Sequence, residues 1–357
     1  MSHRDTKCPG CMRGDSTLKK WLELQQKLVP DLLEVLKRRH RILKVIHSLQ
    51  PIGRRTLSQM VGLTERVVRR ETDFLKEQGL LTFSSVGMNM TEEGSYVVRE
   101  MEDVIREWFG LNQLEHQLEK QLGLNKVIVV AGNSLTQPWV KNDLGRSAVQ
   151  QLKQWAEPNS VVSVAGGTTM EAVAQAMTPH PVLRTLLYVP ARGGLGEKVE
   201  YQANTICSEM ASRSGGQYRL LHVPDQLSKE AYASLLEDEQ IKELIRIIRS
   251  ARIVVHGIGE ANTMATRRKA SPQMLAKLKE RQAVAEAFGY YFDRDGNIVY
   301  KIQTVGLRLE DIKQADHIIA VAGGEDKAEA ILAFLKHGVH DCLITDEGAA
   351  RQMLQYI

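Results

Sequence analysis

The chain has 357 residues, of which 43% are apolar and 25% charged, with a net charge of +4. That composition excludes a disordered or fibrous chain and leaves room for two or three soluble domains with a large core. The charge is uneven: residues 31–80 hold 11 Lys and Arg against 6 Asp and Glu, so a basic segment sits on a near-neutral body, as a local nucleic-acid contact requires.

In chain order, residues 1–17 are polar, turn-rich and unpatterned, which predicts a disordered tail. Its Cys8-Pro-Gly-Cys11 has zinc-ligand spacing, but no second Cys or His pair follows nearby, so no metal is expected. Cys207 and Cys342 sit in apolar patterns and read as buried thiols. No signal peptide and no apolar run long enough to span a bilayer is present, so a cytoplasmic protein without membrane contact is expected. Residues 18–49 look helical, with a break and new start at Pro30-Asp31. The second helix directs Leu32, Leu36, Ile42, Leu43 and Ile46 toward a core.

The stretch from Thr56 to Leu75 reads as two helices around a Gly-centred turn. Thr56 and Gln59 form a capping box, and Gly62 can take the left-handed conformation that ends a helix. Thr64 caps the second helix, which Gly79 stops. Val67, Val68, Phe74 and Leu75 share one face, while Arg66, Arg69, Arg70 and Asp73 point away. This is a helix-turn-helix. Candidate DNA contacts are Arg54, Arg55, Thr64, Glu65, Arg66, Arg69 and Arg70. Leu80–Phe83 and Met88–Met90, joined by the turn Ser84–Gly87, read as a hairpin wing. The domain therefore spans 18–90.

Thr91-Glu-Glu-Gly opens a further helix. Val97, Met101, Val104, Trp108, Leu111, Leu118 and Leu122 follow a heptad, passing over polar Glu115 and a local break at Gly110. Residues 91–123 are read as a linker and oligomerisation helix, with an amphipathic helix docked on its own domain as the alternative. A homodimer, becoming a tetramer on DNA, is expected.

Beyond Leu124 strands and helices alternate. Apolar strand candidates are 127–131, 161–165, 185–189, 218–222, 253–256, 298–302, 318–321 and 343–344. The pattern predicts an α/β fold with a doubly wound parallel sheet over 124–357. Several strands end in glycines. Val161–Ala165 runs into Gly166-Gly167-Thr168-Thr169, and Ile318–Ala322 into Gly323-Gly324-Glu-Asp-Lys327. Backbone amides at such turns close around an anion, and the Thr hydroxyls and Lys327 add to the cradle. Arg192-Gly193-Gly194-Leu195-Gly196 and His256-Gly257-Ile-Gly259 supply two further turns, and Arg192 can grip a phosphate with two parallel bonds. Arg267, Arg268 and Lys269 follow in the next loop. Neither nucleotide fingerprint is present, so no nucleotide cofactor is expected; two cradles fit a small phosphorylated sugar. His256 has no identifiable partner. Glu286, on an apolar segment read as helical, is either a hydroxyl acceptor or an exposed helix position. Asp293–Asn297 reads as a turn rather than a calcium loop.

These residues, in this order, resemble the SorC family of sugar-responsive bacterial transcriptional regulators over nearly the whole chain after residue 17. The markers are Ala165–Thr169, Ala285-Glu286-Ala-Phe-Gly289-Tyr-Tyr-Phe-Asp293-Arg-Asp-Gly296, Ala320–Ala328 and Leu343–Ala350. The resemblance implies an N-terminal, mainly α winged helix-turn-helix. It also implies an α/β effector domain similar to sugar-phosphate isomerases and deaminases. It implies a repressor without enzymatic activity, responding to fructose 1,6-bisphosphate held by the Gly166–Thr169 turn, Arg192, Arg267, Glu286 and Lys327. Arg267 and Glu286 rest on the resemblance more than on the residues themselves. The alternatives are a sugar-phosphate isomerase or deaminase, and a regulator of a different sugar phosphate or a free polyol.

Overall fold

The computed structural model of the chain describes residues 28–194, 198–224, 229–338 and 340–357. The expected tail with Cys8 and Cys11, the helical reading of 18–27, and Leu195-Gly196 lie outside the described residues. The chain falls into two compact units, one ending at Phe109 and one spanning Gly110–Ile357. The segment 91–123 is thus not separate but divided between them.

In the first unit, helix α1 (Pro30–Leu49) starts on a proline and buries Ile42, Leu43 and Ile46; Leu32, expected in the core, is exposed. α2 (Arg54–Val61) starts three residues earlier than the sequence suggests, at N-cap Gly53, so Thr56 lies inside the helix and makes no capping box. Gly62 ends it at φ 65°, and Arg41 of α1 donates to the carbonyl of Val61. α3 (Glu65–Glu77) is capped by the Thr64 hydroxyl, which accepts from the amide of Val67. β1 (Leu81–Ser84) and β2 (Gly87–Met90) form the antiparallel wing. α4 (Glu92–Trp108), capped by Thr91, belongs to this unit, and its Glu102 pairs with Lys44 of α1.

The second unit begins with Gly110 at φ 65° and α5 (Leu111–Leu122). The heptad is therefore broken between units. Leu111, Leu114 and Leu118 are buried in the unit's own core. Glu115 and Glu119 accept from the amides of Val129 and Val127 at 2.7 and 3.0 Å. These amides lie on β3 (Lys126–Val130), an edge strand, so α5 covers an edge that would otherwise be open. The alternative reading, a helix docked on its own domain, describes α5.

There follow α6 (Val140–Trp155), β4 (Val161–Val164), α7 (Thr168–Ala176), β5 (Leu187–Pro190), α8 (Ala203–Ser214) and β6 (Gln217–Tyr218). Next come α9 (Lys229–Leu235), α10 (Glu239–Arg249) and β7 (Ile253–His256). After an insertion come α13 (Leu309–Ile312), β12 (His317–Val321), α14 (Ala328–Lys336), β13 (Cys342–Asp346) and α15 (Glu347–Tyr356). Strands β3-β13-β12-β7-β4-β5-β6 form one sheet in that order, with every pairing parallel. β7 and β13 are buried at every residue, as strands covered on both faces must be. Cys207 and Cys342 are buried, and burial pushes the Cys342 thiol up to about 12.

The insertion holds β8 (Gly259–Glu260), α11 (Ala261–Arg267), α12 (Pro272–Glu280), β9 (Ala285–Ala287), β10 (Tyr290–Phe292) and β11 (Ile298–Lys301). Its strands make a second, antiparallel sheet in the order β11-β10-β9-β8. Two expectations fail here. The segment around Glu286 is strand β9 rather than helix, and the strand expected over 298–302 belongs to this sheet rather than the parallel one.

Candidate effector and DNA-binding sites

β4 and β7 are neighbours in the sheet, but β4 leads toward β5 and β6 on one side and β7 toward β12 and β13 on the other. Ligands of open α/β sheets bind outside the strand carboxyl ends at such a switch. Here that crevice is a cavity of about 480 Å³. The loops after β3, β4, β5, β7 and β12 line it, together with Arg267 from α11 and Glu286 from β9.

One end is the N-terminus of α7. Gly167 sits there at φ 122°, a conformation open to glycine, and donates its own amide to the carbonyl of Tyr201. The next three amides, of Thr168, Thr169 and Met170, have no acceptor within the helix. The hydroxyls of Thr168 and Thr169 have no partner among the described residues. Free amides, hydroxyls and the positive end of a helix dipole together favour an anion.

A further part of the wall is an ionic cluster. Glu286 is 3% exposed and accepts from Arg192 at 3.3 Å, from Arg268 at 2.5 Å and from the amide of Gly289 at 2.7 Å. Burial alone would raise its pKa; Arg268, then Arg192, outweigh that and hold it below the usual carboxylate range. Glu286 is therefore not an exposed helix position: all three bonds fall on its Oε1, and it lines the cavity. It fixes Arg192 against the cavity. Arg268, which the sequence reading grouped with the Arg267 loop, is the buried partner.

The other end carries Lys141, Arg267 and Lys327, and none of the three forms an ion pair among the described residues. Burial lowers the Lys327 pKa; Asp326 opposes this, while Lys141 and Arg267 add to it. Three cations thus gather on one wall, with Asp326 beside them. Lys327 ends a short 3-10 turn, Glu325–Lys327, before α14 rather than lying inside the helix. The Gly323-Gly324 turn differs from the expected cradle: the amide of Gly324 is already given to Asp346 at 2.7 Å. Gly323 lines the cavity but Gly324 does not, and neither does Gly193, whose amide bonds to the carbonyl of Val305. Gly166, Gly257 and Gly259 line it as expected. His256 is fully buried; burial lowers its pKa to about 4, and its Nδ1 lies 3.0 Å from the carbonyl of Gly257. It is a neutral strand-end histidine.

Lys141 escaped the sequence reading because the loop from β3 to α6 is not glycine-rich. Asp346 escaped it as a site residue, although Asp346 before Glu347-Gly-Ala-Ala has the pattern of an N-cap.

On the DNA-binding unit, Arg55, Arg66, Arg69 and Arg70 are exposed on α2 and α3, as are Thr64 and Glu65. Two of the candidate cations are engaged within the fold. Arg54 pairs with Asp73 at 2.8 Å and lies over the ring of Phe83. Arg70 bonds to Glu71 at 2.8 Å. Glu71, 1% exposed, also takes Arg38 and Arg39 of α1, locking α3 to its support helix. Among the described residues no helix is long and apolar enough to cross a membrane, and no His, Cys, Asp and Glu group is placed to hold a metal.

Comparison with known proteins agrees with this division. Residues 35–105 match the CggR N-terminal DNA binding domain, and residues 106–355 match the family described as "Putative sugar-binding domain". The central glycolytic genes regulators of Priestia megaterium and Bacillus subtilis are each 50% identical, over 94% of this chain and 98% of their own length. A "putative SorC family transcriptional regulator" from Enterococcus faecalis is 44% identical, with a TM-score of 0.65 over 68% of this chain and 99% of its own. The full-length sorbitol operon regulator SorC from Klebsiella pneumoniae, 18% identical, shares the fold over 91% of this chain with a TM-score of 0.65. The relatives are transcriptional regulators, not enzymes. The chain belongs to the SorC family of transcriptional regulators and joins a DNA-binding domain to a sugar-responsive one.

Proposed function

We propose that this regulator represses central glycolytic genes in the cytoplasm, and that fructose 1,6-bisphosphate in the cavity releases or remodels it on operator DNA. The observation that carries the effector reading is the pairing of free α7 amides at one end with unpaired Lys141, Arg267 and Lys327 at the other. An anion at each end, joined by a short hydroxyl-rich link, satisfies both. No other cofactor is proposed. The names of the Priestia and Bacillus relatives support the glycolytic assignment.

The test is calorimetry of the full chain against sugar phosphates, with operator titrations beside it and turnover assayed for each compound. Losing the charged contact of Lys327 in Lys327→Ala should weaken the bisphosphate by roughly 10- to 100-fold and a monophosphate seated on α7 far less. Thr169→Ala should weaken both by about 3- to 10-fold. A ligand that releases the protein must bind the DNA-free form more tightly, by the same factor. Wild-type protein that binds no sugar bisphosphate removes the effector assignment.

Assembly is proposed through α4. Val98 and Ile105 face the unit's own core, whereas Val97, Met101, Val104 and Trp108 form a half-exposed stripe beside them. A dimer through this stripe would pair two reading heads on one operator, with a tetramer on DNA. Replacing Met101 and Val104 by Asp should shift sedimentation toward the monomer. An unaltered oligomer in a folded variant returns the stripe to an intramolecular role.

A further inference from the structure

Asp346 ends β13 with none of its surface exposed. Its Oδ2 accepts from the amides of Ser134 and Gly324 at 2.8 and 2.7 Å, and its Oδ1 accepts from the amide of Ala349 at 2.8 Å, capping α15. Gly323 lies against the same oxygen: a Cβ there would stand 2.5 Å from Oδ2. The carboxyl ends of β3, β12 and β13 thus meet on one carboxylate. Ser134 opens the loop that leads to Lys141 at the start of α6, and Gly324 opens the turn that ends on Lys327. Two convergent backbone amides are what an anion cradle offers its ligand. Here a side chain of the protein fills the seat.

We infer that Asp346 is a positioning residue for the effector. It occupies the amide seat of the second cradle and sets the spacing of Lys141 and Lys327. The outer phosphate is left to side-chain cations. The inference rests on the reading of the cavity as a sugar-bisphosphate site. It also explains the glycine at 323 by the close approach of the carboxylate rather than of a ligand.

Asp346→Asn isolates the seat. It keeps the size and one oxygen for the α15 cap but turns an NH2 group toward two N–H donors. Wild type and variant are compared as full chains, by calorimetry with fructose 1,6-bisphosphate and with fructose 6-phosphate, and by amide hydrogen exchange without ligand. Because a small misplacement of binding groups is costly, bisphosphate affinity should fall about tenfold or more, while fructose 6-phosphate, seated on α7, changes by less than about twofold. The amides of Ser134 and Gly324 should exchange faster. Gly323→Ala, whose Cβ would press on Oδ2, should give the same split and stands in if Asp346→Asn does not fold. Equal losses for both ligands, or unchanged exchange at both amides, overturn the inference. If wild type binds no bisphosphate, the effector reading fails by itself, and the exchange measurement still decides whether Asp346 holds the two loops.

Discussion

Glu286→Gln should destabilise the sugar-binding unit by about 3–5 kcal/mol, because it leaves the buried Arg268 guanidinium without its counter-ion. The substitution keeps the shape of the side chain and removes only the charge. Arg192 and Arg268 are 7% and 1% exposed at their side chains, and Glu286 is the carboxylate between them. Neither guanidinium can shed its proton, so both would remain charged in the interior. The pH dependence has a definite sign. The folded pKa of Glu286 lies below its ordinary value of 4.5, so its contribution is present above that value and is lost as pH falls through the folded one. The gap between wild type and Glu286→Gln should therefore be full at neutral pH, begin to narrow as pH falls below about 4.5 and close only below the folded pKa. Denaturant titrations at pH 7 and at successive steps below pH 4.5 follow both quantities. A variant as stable as wild type at pH 7 would show that the cluster is solvated and that Arg192 is not held by Glu286.

What the sequence disclosed follows from which signals are local. The helix-turn-helix was readable because caps and stops are written in neighbouring residues: Thr64 caps α3 and Gly62 takes φ 65° where the turn needs it. The parallel strands were readable as apolar runs, since both of their faces are buried. The antiparallel insertion was not. β9 and β10 are three residues each, too short for alternation to appear, and Ala285–Ala287 looks the same in helix or strand. That the turn before α7 lines the cavity was readable from its glycines and threonines. The opposite wall was found only in part. Lys327 stood beside a glycine pair, but Lys141 is brought to it by the sheet order, which places β3 and β12 on either side of β13. Glu286 shows the limit most plainly: its partners Arg192 and Arg268 are 94 and 18 residues away, and only the fold supplies them. Glu115 marks a different limit. In a heptad it reads as an interruption, whereas in the structure it accepts the amide of an edge strand.

Operator binding should depend most on Arg66 and Arg69. Both are exposed on α3, and neither is drawn into the Glu71 cluster that holds Arg70. Arg69 reaches Asp73 only at 3.9 Å, a surface pair that a phosphate or base edge can readily replace. Each Arg→Ala change at a base-contacting position should cost about 1–3 kcal/mol and relax specificity at one base pair. A change at a phosphate contact should instead weaken all sequences alike and reduce the slope of log K against log salt by about 0.9. Arg70→Ala is expected to give a smaller loss of affinity, since its guanidinium is bonded to Glu71. The fold should tolerate it, because Glu71 keeps Arg38 and Arg39. Arg54 is held by Asp73 and Phe83, so Arg54→Ala should reduce stability more than it changes the salt slope. Fluorescence anisotropy on operator DNA at several salt concentrations, with melting curves for each variant, separates these cases. If the folded Arg66/Arg69/Arg70 triple Ala protein keeps both the affinity and the salt slope of wild type, α3 is not the reading helix.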